Sequence, residues 1–144
     1  MENSIWFKNY TIDELKHIGQ NTMVSFLDIQ ITNIGNQSLS AKMPVSNKTV
    51  QPVRILHGGA SVVLAESLGS LAAFMTIDNS KFAAVGLEIN ANHVRPVSEG
   101  GEVEGSATAI HIGKKTQIWE TKIFDTSNKK LVCISRLTVA IISK

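Results

Sequence analysis

Cysteine is nearly absent from this sequence, since Cys133 is the one cysteine among 144 residues. No disulfide framework can therefore form within one chain, and no cluster of metal-ligating residues is recognisable. Cys133 itself sits in an apolar run of alternating polarity, which favours a small buried hydrophobic residue. We therefore expect no metal site and no disulfide.

Blocks of like charge are also lacking. The 14 basic and 12 acidic residues are spread along the chain and give a formal net charge of +2. Tracking of a phosphate backbone needs a clustered basic stripe, which this chain does not have. The charge distribution argues against nucleic acid as the main partner.

Signals for export and membrane insertion are missing as well. The N-terminus, MENSIWFKNY, has no basic start followed by an apolar stretch, as a secretory signal would have. No run approaches the roughly 18 apolar residues that a membrane span needs. We therefore predict a cytoplasmic protein with no membrane partner.

What is present fits a single domain over residues 1–144. With 43% hydrophobic residues, a chain of this size should bury roughly two thirds of the surface that it exposes when unfolded. Residues 11–14 (TIDE) match a capping box, which predicts a helix over 11–18 that ends at Gly19. Apolar residues at every second position over 26–34 and 39–43 predict a β-hairpin around Gly35 and Asn36.

A long buried helix is predicted over residues 57–77, because HGGASVVLAESLGSLAAFMTI is apolar on nearly all sides. Four extended segments follow, at 83–95, 102–112, 116–125 and 131–142. Since short turns separate them, we predict that they form a four-strand antiparallel meander. The fold class is therefore α+β, with an antiparallel sheet wrapped around one long central helix.

Glu66 is out of place in that helix, because its neighbours Val63, Leu64 and Ala65 are typical of a core. Burying an unpaired carboxylate is costly, and such a group is suited to act as a general base or nucleophile. Ser70 lies one turn further on the same face and could hydrogen-bond the carboxylate or a substrate. The alternative is that Glu66 and Ser70 lie on a solvated stripe without a catalytic role.

The segment before the helix, residues 51–59 (QPVRILHGG), could hold a substrate carbonyl. Glycines at a helix start let a ligand approach the backbone, and the free amides there can stabilise an oxyanion. The alternative is a plain helix entry in which His57 packs or caps. Gly58 and Glu66 are eight residues apart, about 12 Å along a helix axis. If both act on one carbonyl, the glutamate must come from a second copy, so the active form is at least a dimer.

Two further polar segments could bind an anionic ligand. Residues 90–95 (NANHVR) end a predicted strand, with Asn90 and Asn92 on one face and His93 and Arg95 on the other. A guanidinium fork is well shaped for phosphate, although an arginine at a strand end is more often only solvated. Residues 111–115 (HIGKK) form a basic turn that could help, or could be solvated surface.

The sequence resembles the hotdog-fold thioesterases, in the branch that contains the phenylacetate-pathway and 4-hydroxybenzoyl-CoA thioesterases with a helix glutamate. The matching segments cover nearly the whole chain and include MVSFLDI, MPV, QPVRILHGGASVVLAESLGS, GLEINANHVR and SRLT. The resemblance is closest to the groups that hydrolyse 1,4-dihydroxy-2-naphthoyl-CoA in menaquinone synthesis and that proofread aryl carrier proteins in siderophore synthesis.

The resemblance implies hydrolysis of an acyl-CoA thioester, with an aryl group such as 1,4-dihydroxy-2-naphthoyl. It implies no cofactor, because CoA is part of the substrate. Glu66 would be the nucleophile or general base, and the Gly58 amide would polarise the thioester carbonyl. Gln51 and His57 would place the acyl group or the water, and Ser70 would line the acyl pocket. The resemblance further implies a five- or six-stranded sheet, and homodimers or homotetramers with active sites at the dimer interface.

The resemblance also implies how CoA is held. The residues expected to bind its pantetheine and nucleotide parts are Gly86, His93, Val94, Arg95, His111, Gly113, Lys114 and Lys115. The chain departs from the family pattern in two places. Val53 and Arg54 replace an aromatic residue and a glycine, and Arg54 could narrow the acyl pocket or attract an acidic acyl group. The Lys-Lys-Thr of residues 114–116 replaces Ser-Arg-His, which keeps positive charge for phosphate.

Three alternatives stay open at this point. An acyl or aryl carrier protein could present the substrate in place of CoA. A hotdog hydratase or dehydratase would need an Asp-His or Glu-His pairing that is not recognisable here. A non-catalytic module that senses acyl-CoA would carry an added DNA-binding segment, and only about 25 residues precede the first predicted strand.

Overall fold

The structure is a computed structural model that describes residues 3–144, so the first two residues of the predicted domain lie outside the described residues. The helices are α1 (Ile12–Ile18), α2 (Met23–Phe26) and α3 (Gly58–Met75). The strands are β1 (Gln30–Ile34), β2 (Ser38–Pro44), β3 (Phe82–His93), β4 (Glu102–Ile112), β5 (Thr116–Asp125) and β6 (Leu131–Ser143).

Helix α1 begins and ends where the sequence predicts. The Thr11 hydroxyl accepts from the Glu14 N–H at 3.2 Å, and the Glu14 carboxylate accepts from the Thr11 N–H at 2.8 Å. These reciprocal bonds are the predicted capping box, and Gly19 is the C-cap. The hydrogen bond from the Thr11 backbone, with a smaller contribution from Lys8, lowers the pKa of Glu14 below its usual value of 4.5. Leu15 is the residue through which α1 enters the core.

The first predicted strand is shorter than expected. Residues 26–29 do not belong to it, because α2 occupies 23–26 and β1 begins only at residue 30. The Thr22 hydroxyl accepts from the Val24 N–H, and the Ser25 hydroxyl accepts from the Thr22 N–H, both at 3.2 Å. These local bonds satisfy the backbone in a helical turn and compete with the strand. The predicted turn at Gly35 does join β1 to β2, with Ile34 opposite Leu39.

Helix α3 is the long central helix, and it contacts strands β2 to β6. Its 18 residues have a mean hydropathy of 1.4, which by length and composition alone would suffice to cross a membrane. This measure does not distinguish a membrane span from the core helix of a domain, which passes the same test. Half of that stretch is buried inside the domain, as expected for the core helix of a sheet.

All strands of the sheet run antiparallel to their neighbours, in the order β1-β2-β4-β5-β6-β3. The concave face packs on α3 through side chains that alternate along each strand. Leu39 and Met43 from β2, Trp119 from β5 and Val139 from β6 have no exposed surface. The six-stranded sheet around one helix agrees with the predicted fold class.

The predicted four-strand meander was wrong in one connection. Strands β4, β5 and β6 do form a meander, but β3 pairs with β6 and lies at the opposite edge from β1. Residues 94–101 cross over to β4, whose other neighbour is β2. Burial explains this order, because β4 buries every second residue over Val103 to Ala107, whereas β3 is mostly exposed. The less buried strand takes the edge of the sheet.

Candidate active site

Glu66 lies on the side of α3 that faces the edge strand β3. It is half-buried, as are Ser67 and Ser70, while Leu64 and Ala65 are buried. The carboxylate is therefore not enclosed by the core, and the stripe with Ser70 that the sequence suggested is present. A Cβ atom built on Gly86 of β3 would lie 2.6 Å from Glu66 Oε1, so the carboxylate rests directly on the backbone of that strand.

A cavity of about 460 Å³ opens at the N-terminal end of α3. Five predicted site residues line it, namely Gln51, Gly58, His93, Val94 and Arg95. The Gln51 side-chain oxygen accepts from the Val53 N–H at 2.9 Å, which leaves the amide nitrogen of Gln51 as the available donor.

His93 packs against the first residue of α3. A Cβ atom built on Gly58 would lie 2.8 Å from His93 Nε2, so only a glycine leaves room for the ring in this position. The Gly58 N–H lies in the first turn of the helix and has no acceptor within it. This amide, with the partial positive charge of the helix N-terminus, can stabilise a developing negative charge.

His57 acts as the N-cap of α3 and does not line the cavity. The ring Nδ1 of His57 accepts from the Gly59 N–H at 2.8 Å, and the backbone N–H of His57 donates to the Thr49 carbonyl at 2.8 Å. The capping interpretation of His57, which the sequence left open, therefore describes its contacts within one chain.

A second and larger cavity, of about 700 Å³, lies between α1, α2, β1 and α3. Helix α3 contributes Ser67, Ser70, Leu71 and Phe74 to its wall. The sequence predicted Ser70 there, but it gave no role to the N-terminal helices, whose Leu15 and Val24 face the same space. The apolar residues of 12–24 in a polar N-terminal stretch were the signal that could have found this wall.

The remaining predicted residues lie apart from both cavities within one protomer. Gly86 contacts Glu66 but lines neither cavity. The basic turn between β4 and β5 is closed by a bond from the Gly113 N–H to the Thr116 carbonyl at 2.9 Å. The exposed members of this turn are His111, Ile112, Lys114 and Lys115. Gly58 and Glu66 lie on one continuous helix, so a single copy of α3 does not bring them together.

The expectation that Arg54 narrows the acyl pocket or attracts an acidic acyl group stays a prediction. Arg54 has a φ of 62°, and its guanidinium forms a two-pronged ion pair with Glu99. Both side chains are exposed, and Arg54 lines neither cavity. The backbone turn and the carboxylate partner together fix the direction of the side chain.

Among residues 3–144, no group of three or more His, Cys, Asp or Glu side chains lies close enough together to hold a metal ion. Cys133 is buried, and its burial raises the pKa of the thiol. The charged and polar groups at the site are therefore Glu66, His93, Arg95 and the hydroxyls and amides around them.

Comparison with known proteins agrees with this geometry. The model of the thioesterase superfamily matches residues 54–132. A 1,4-dihydroxy-2-naphthoyl-CoA hydrolase from Escherichia coli K12 is 48% identical over 138 residues, which are 96% of this chain and 99% of the relative. A mutant thioesterase from Pseudomonas aeruginosa superposes with a TM-score of 0.94 at 40% identity, covering 98% of this chain and 100% of that one.

A thioesterase from Haemophilus influenzae has a TM-score of 0.91 at 42% identity, with coverage of 96% of this chain and 95% of that one. The shared fold extends over the sheet, α3 and the N-terminal helices that border the larger cavity. The predicted hotdog fold and the predicted class of thioester hydrolase are thus confirmed, and the chain belongs to the thioesterase superfamily.

Proposed function

We propose that this thioesterase hydrolyses an acyl-CoA with an aryl acyl group, such as 1,4-dihydroxy-2-naphthoyl-CoA, to the free acid and CoA. The observation that carries the proposal is the course of α3, which lines a cavity at its start through Gly58 and Ser61 and a larger one through Ser67 and Ser70, with Glu66 between these residues along the helix. The Escherichia coli relative is named for this substrate.

Glu66 is the proposed catalytic residue, by either of two routes. As a nucleophile, its carboxylate attacks the thioester carbonyl, the C–S bond breaks, and water then hydrolyses the mixed anhydride. As a general base, it takes a proton from a water that attacks the carbonyl, and the proton passes to the departing CoA thiolate. In both routes the carbonyl oxygen gains negative charge, which the Gly58 amide stabilises.

The two cavities divide the substrate between them in this proposal. The larger one takes the acyl group, because a space of about 700 Å³ with an apolar wall and the hydroxyls of Ser67 and Ser70 suits an aromatic body with polar substituents. The smaller one takes the pantetheine, and Gln51 donates to the thioester or the water. Arg95, His111, Gly113 and the lysines of the β4–β5 turn then bind the nucleotide phosphates.

We propose that the site is completed by a second copy of the chain. Strand β3 is an edge strand, and Val85 and Leu87 on it are 45% and 63% exposed, as an unpaired apolar edge would be. If two β3 edges pair antiparallel about a two-fold axis at residue 90, residue 88 lies opposite residue 92, and the bulge at Leu87 then sets residue 86 opposite residue 93. Since Glu66 contacts Gly86 and His93 contacts Gly58, Glu66 of one copy then meets Gly58 of the other.

The function is tested by thiol release from a panel of aryl-, β-keto- and fatty-acyl-CoA thioesters. Aryl-CoA should be preferred, and Glu66→Gln should lower kcat by 10²- to 10⁴-fold, the usual range for a lost acid-base group. Glu104→Gln is the matched control, because that carboxylate lies on the opposite face of the sheet, where it accepts from the Thr32 hydroxyl at 3.4 Å. Near-full turnover by Glu66→Gln would contradict the assignment.

The same assay separates the finer parts of the proposal. Presenting one acyl group on CoA and on an acyl carrier protein decides which carrier is the substrate. Turnover that survives a chelator supports the absence of a metal cofactor. Light scattering after size exclusion should give a dimer or a tetramer, and an active monomer would exclude the shared site. We place the enzyme in the cytoplasm, where CoA thioesters are made, and cell fractionation tests this.

A further inference from the structure

We propose that Gly86 is a positioning residue for Glu66, and that its missing side chain keeps the carboxylate in its catalytic position. This inference rests on the proposed function, since it assumes that Glu66 reacts. A Cβ atom at residue 86 would lie 2.6 Å from Glu66 Oε1 and 3.8 Å from its Cδ. Real Cβ contacts are not that short, so a methyl group at residue 86 and the present Glu66 rotamer exclude each other.

The backbone conformation at residue 86 does not require a glycine. Among the described residues, Gly100 is the glycine with a positive φ, and Gly86 is not in that region. Glycine inside a strand has an entropic cost and offers no side chain to pack, so β3 would be more stable with another residue. The space that Gly86 leaves is filled by the Glu66 carboxylate, with Leu137 as the next neighbour at 4.0 Å.

The local pairing of β3 supports a special role for this point of the strand. Gly86 pairs with Val139, and the register with β6 then shifts, so that Glu88 and not Leu87 pairs with Thr138. A bulge at Leu87 therefore directly follows the contact with Glu66. Bulges next to active sites commonly redirect a strand or a side chain. Here the bulged strand places its backbone against the catalytic carboxylate.

A methyl group at residue 86 would push the carboxylate off the strand. Glu66 lies in the middle of α3, whose position is fixed by the buried Leu64, Ala65 and Leu68, so the side chain must rotate instead of the helix moving. Displacement of a reacting group by about 1 Å can cost on the order of 10²-fold in rate. We therefore expect Gly86→Ala to lower kcat by about 10- to 100-fold while KM changes less than threefold.

The decisive test is rescue by a shorter carboxylate. Glu66→Asp withdraws the carboxylate by one methylene group, so it no longer overlaps a methyl at residue 86. Kinetics are measured for the parent, Gly86→Ala, Glu66→Asp and the double variant. We expect Gly86→Ala to lower kcat at most threefold in the Glu66→Asp background. An equal loss in both backgrounds, or a loss that appears mainly in KM, would overturn the inference.

Two further measurements keep the result interpretable. Ala83→Val enlarges a side chain on the same strand but on the convex face, opposite Ile142, and should leave kcat unchanged. Calorimetry with free CoA separates positioning of Glu66 from the CoA-binding role that the family resemblance implies for Gly86: equal affinity of Gly86→Ala and the parent supports positioning, and weaker binding by Gly86→Ala would overturn it. If Glu66→Asp has too little activity to measure, a crystal structure of Gly86→Ala decides. A displaced Glu66 carboxylate supports the inference, whereas a carboxylate in the parent position overturns it.

Failure of this inference can be told from failure of the proposed function. If Glu66→Gln retains full turnover, the catalytic assignment itself is wrong. If Glu66→Gln is inactive and Gly86→Ala matches the parent, Glu66 is catalytic but Gly86 does not position it. Thermal unfolding of every variant, compared with the parent, identifies a loss of activity that comes from misfolding.

Discussion

Arg54 and Glu99 are joined by a two-pronged ion pair, in which Nε lies 2.8 Å from Oε2 and Nη2 lies 2.5 Å from Oε1. The Glu99 N–H also donates to the Arg54 carbonyl at 3.0 Å. The pair connects the loop that carries Gln51 to the crossover after β3. It holds Arg54 at a φ of 62°, a conformation that L-residues adopt at a cost of roughly 1–2 kcal/mol.

Because of this strain, we expect glycine at residue 54 to give a more stable protein than alanine, the reverse of the usual order. Both Arg54→Ala and Arg54→Gly remove the ion pair, but only glycine relieves the positive φ. We therefore expect Arg54→Gly to have the higher free energy of unfolding, by about 1 kcal/mol in urea denaturation. The control is Val53, which is exposed and has no positive φ, so alanine should be the more stable choice there. An alanine variant at residue 54 as stable as the glycine variant would contradict the strain.

The same pair predicts a pH effect. The Arg54 guanidinium hydrogen-bonds Glu99 and lowers the pKa of that carboxyl below its usual 4.5. A lowered folded-state pKa means that the stabilisation is present above pH 4.5 and is lost as the pH falls through the folded-state value. Carbon NMR titration of Glu99 should show this low pKa, and Arg54→Ala should return it towards 4.5. An unchanged titration in Arg54→Ala would show that the ion pair does not form in solution.

The N-terminal segment should contribute measurably to stability through Trp6. Its ring stacks on that of Trp119 with centroids 6.3 Å apart, and its Nε1 donates to the Gly35 carbonyl at 2.7 Å. Because Trp6 is half-buried, we expect Trp6→Ala to lower the free energy of unfolding by about 2 kcal/mol. Trp6→Phe keeps an aromatic ring and loses the hydrogen bond, so it should cost about 1 kcal/mol. Equal losses from both variants would mean that the stacking contributes nothing.

At Gly69 we expect substitution by alanine to lower stability, although alanine has the higher helix propensity. In an exposed helix, alanine would be favoured over glycine by about 1 kcal/mol. Here a Cβ atom would lie 2.7 Å from Leu137 Cδ2, so Gly69→Ala should destabilise the fold by about 1–3 kcal/mol through overpacking. In a Leu137→Ala background the overlap is gone, and Gly69→Ala should become neutral or stabilising. Thermal or urea unfolding of the four proteins tests this, and additive effects would refute it.

Most elements of the fold could be predicted from local sequence. The capping box from Thr11 to Glu14, the apolar composition of α3 and the alternation in β4 to β6 each depend on residues close together in the chain. Strand β1 was predicted too long, because the hydroxyls of Thr22 and Ser25 form hydrogen bonds that a pattern of apolar residues does not reveal.

The sequence by itself determined the elements and the chemically unusual residues, above all a glutamate in an apolar helix and glycines at the start of that helix. Tertiary structure decided which of these residues meet. The position of β3 beside β6 follows from the relative burial of whole strands, and it alone places Gly86 under Glu66 and His93 against Gly58. The site residues come from a helix, an edge strand and a loop, and long-range packing between such elements cannot be read from spacing along the chain.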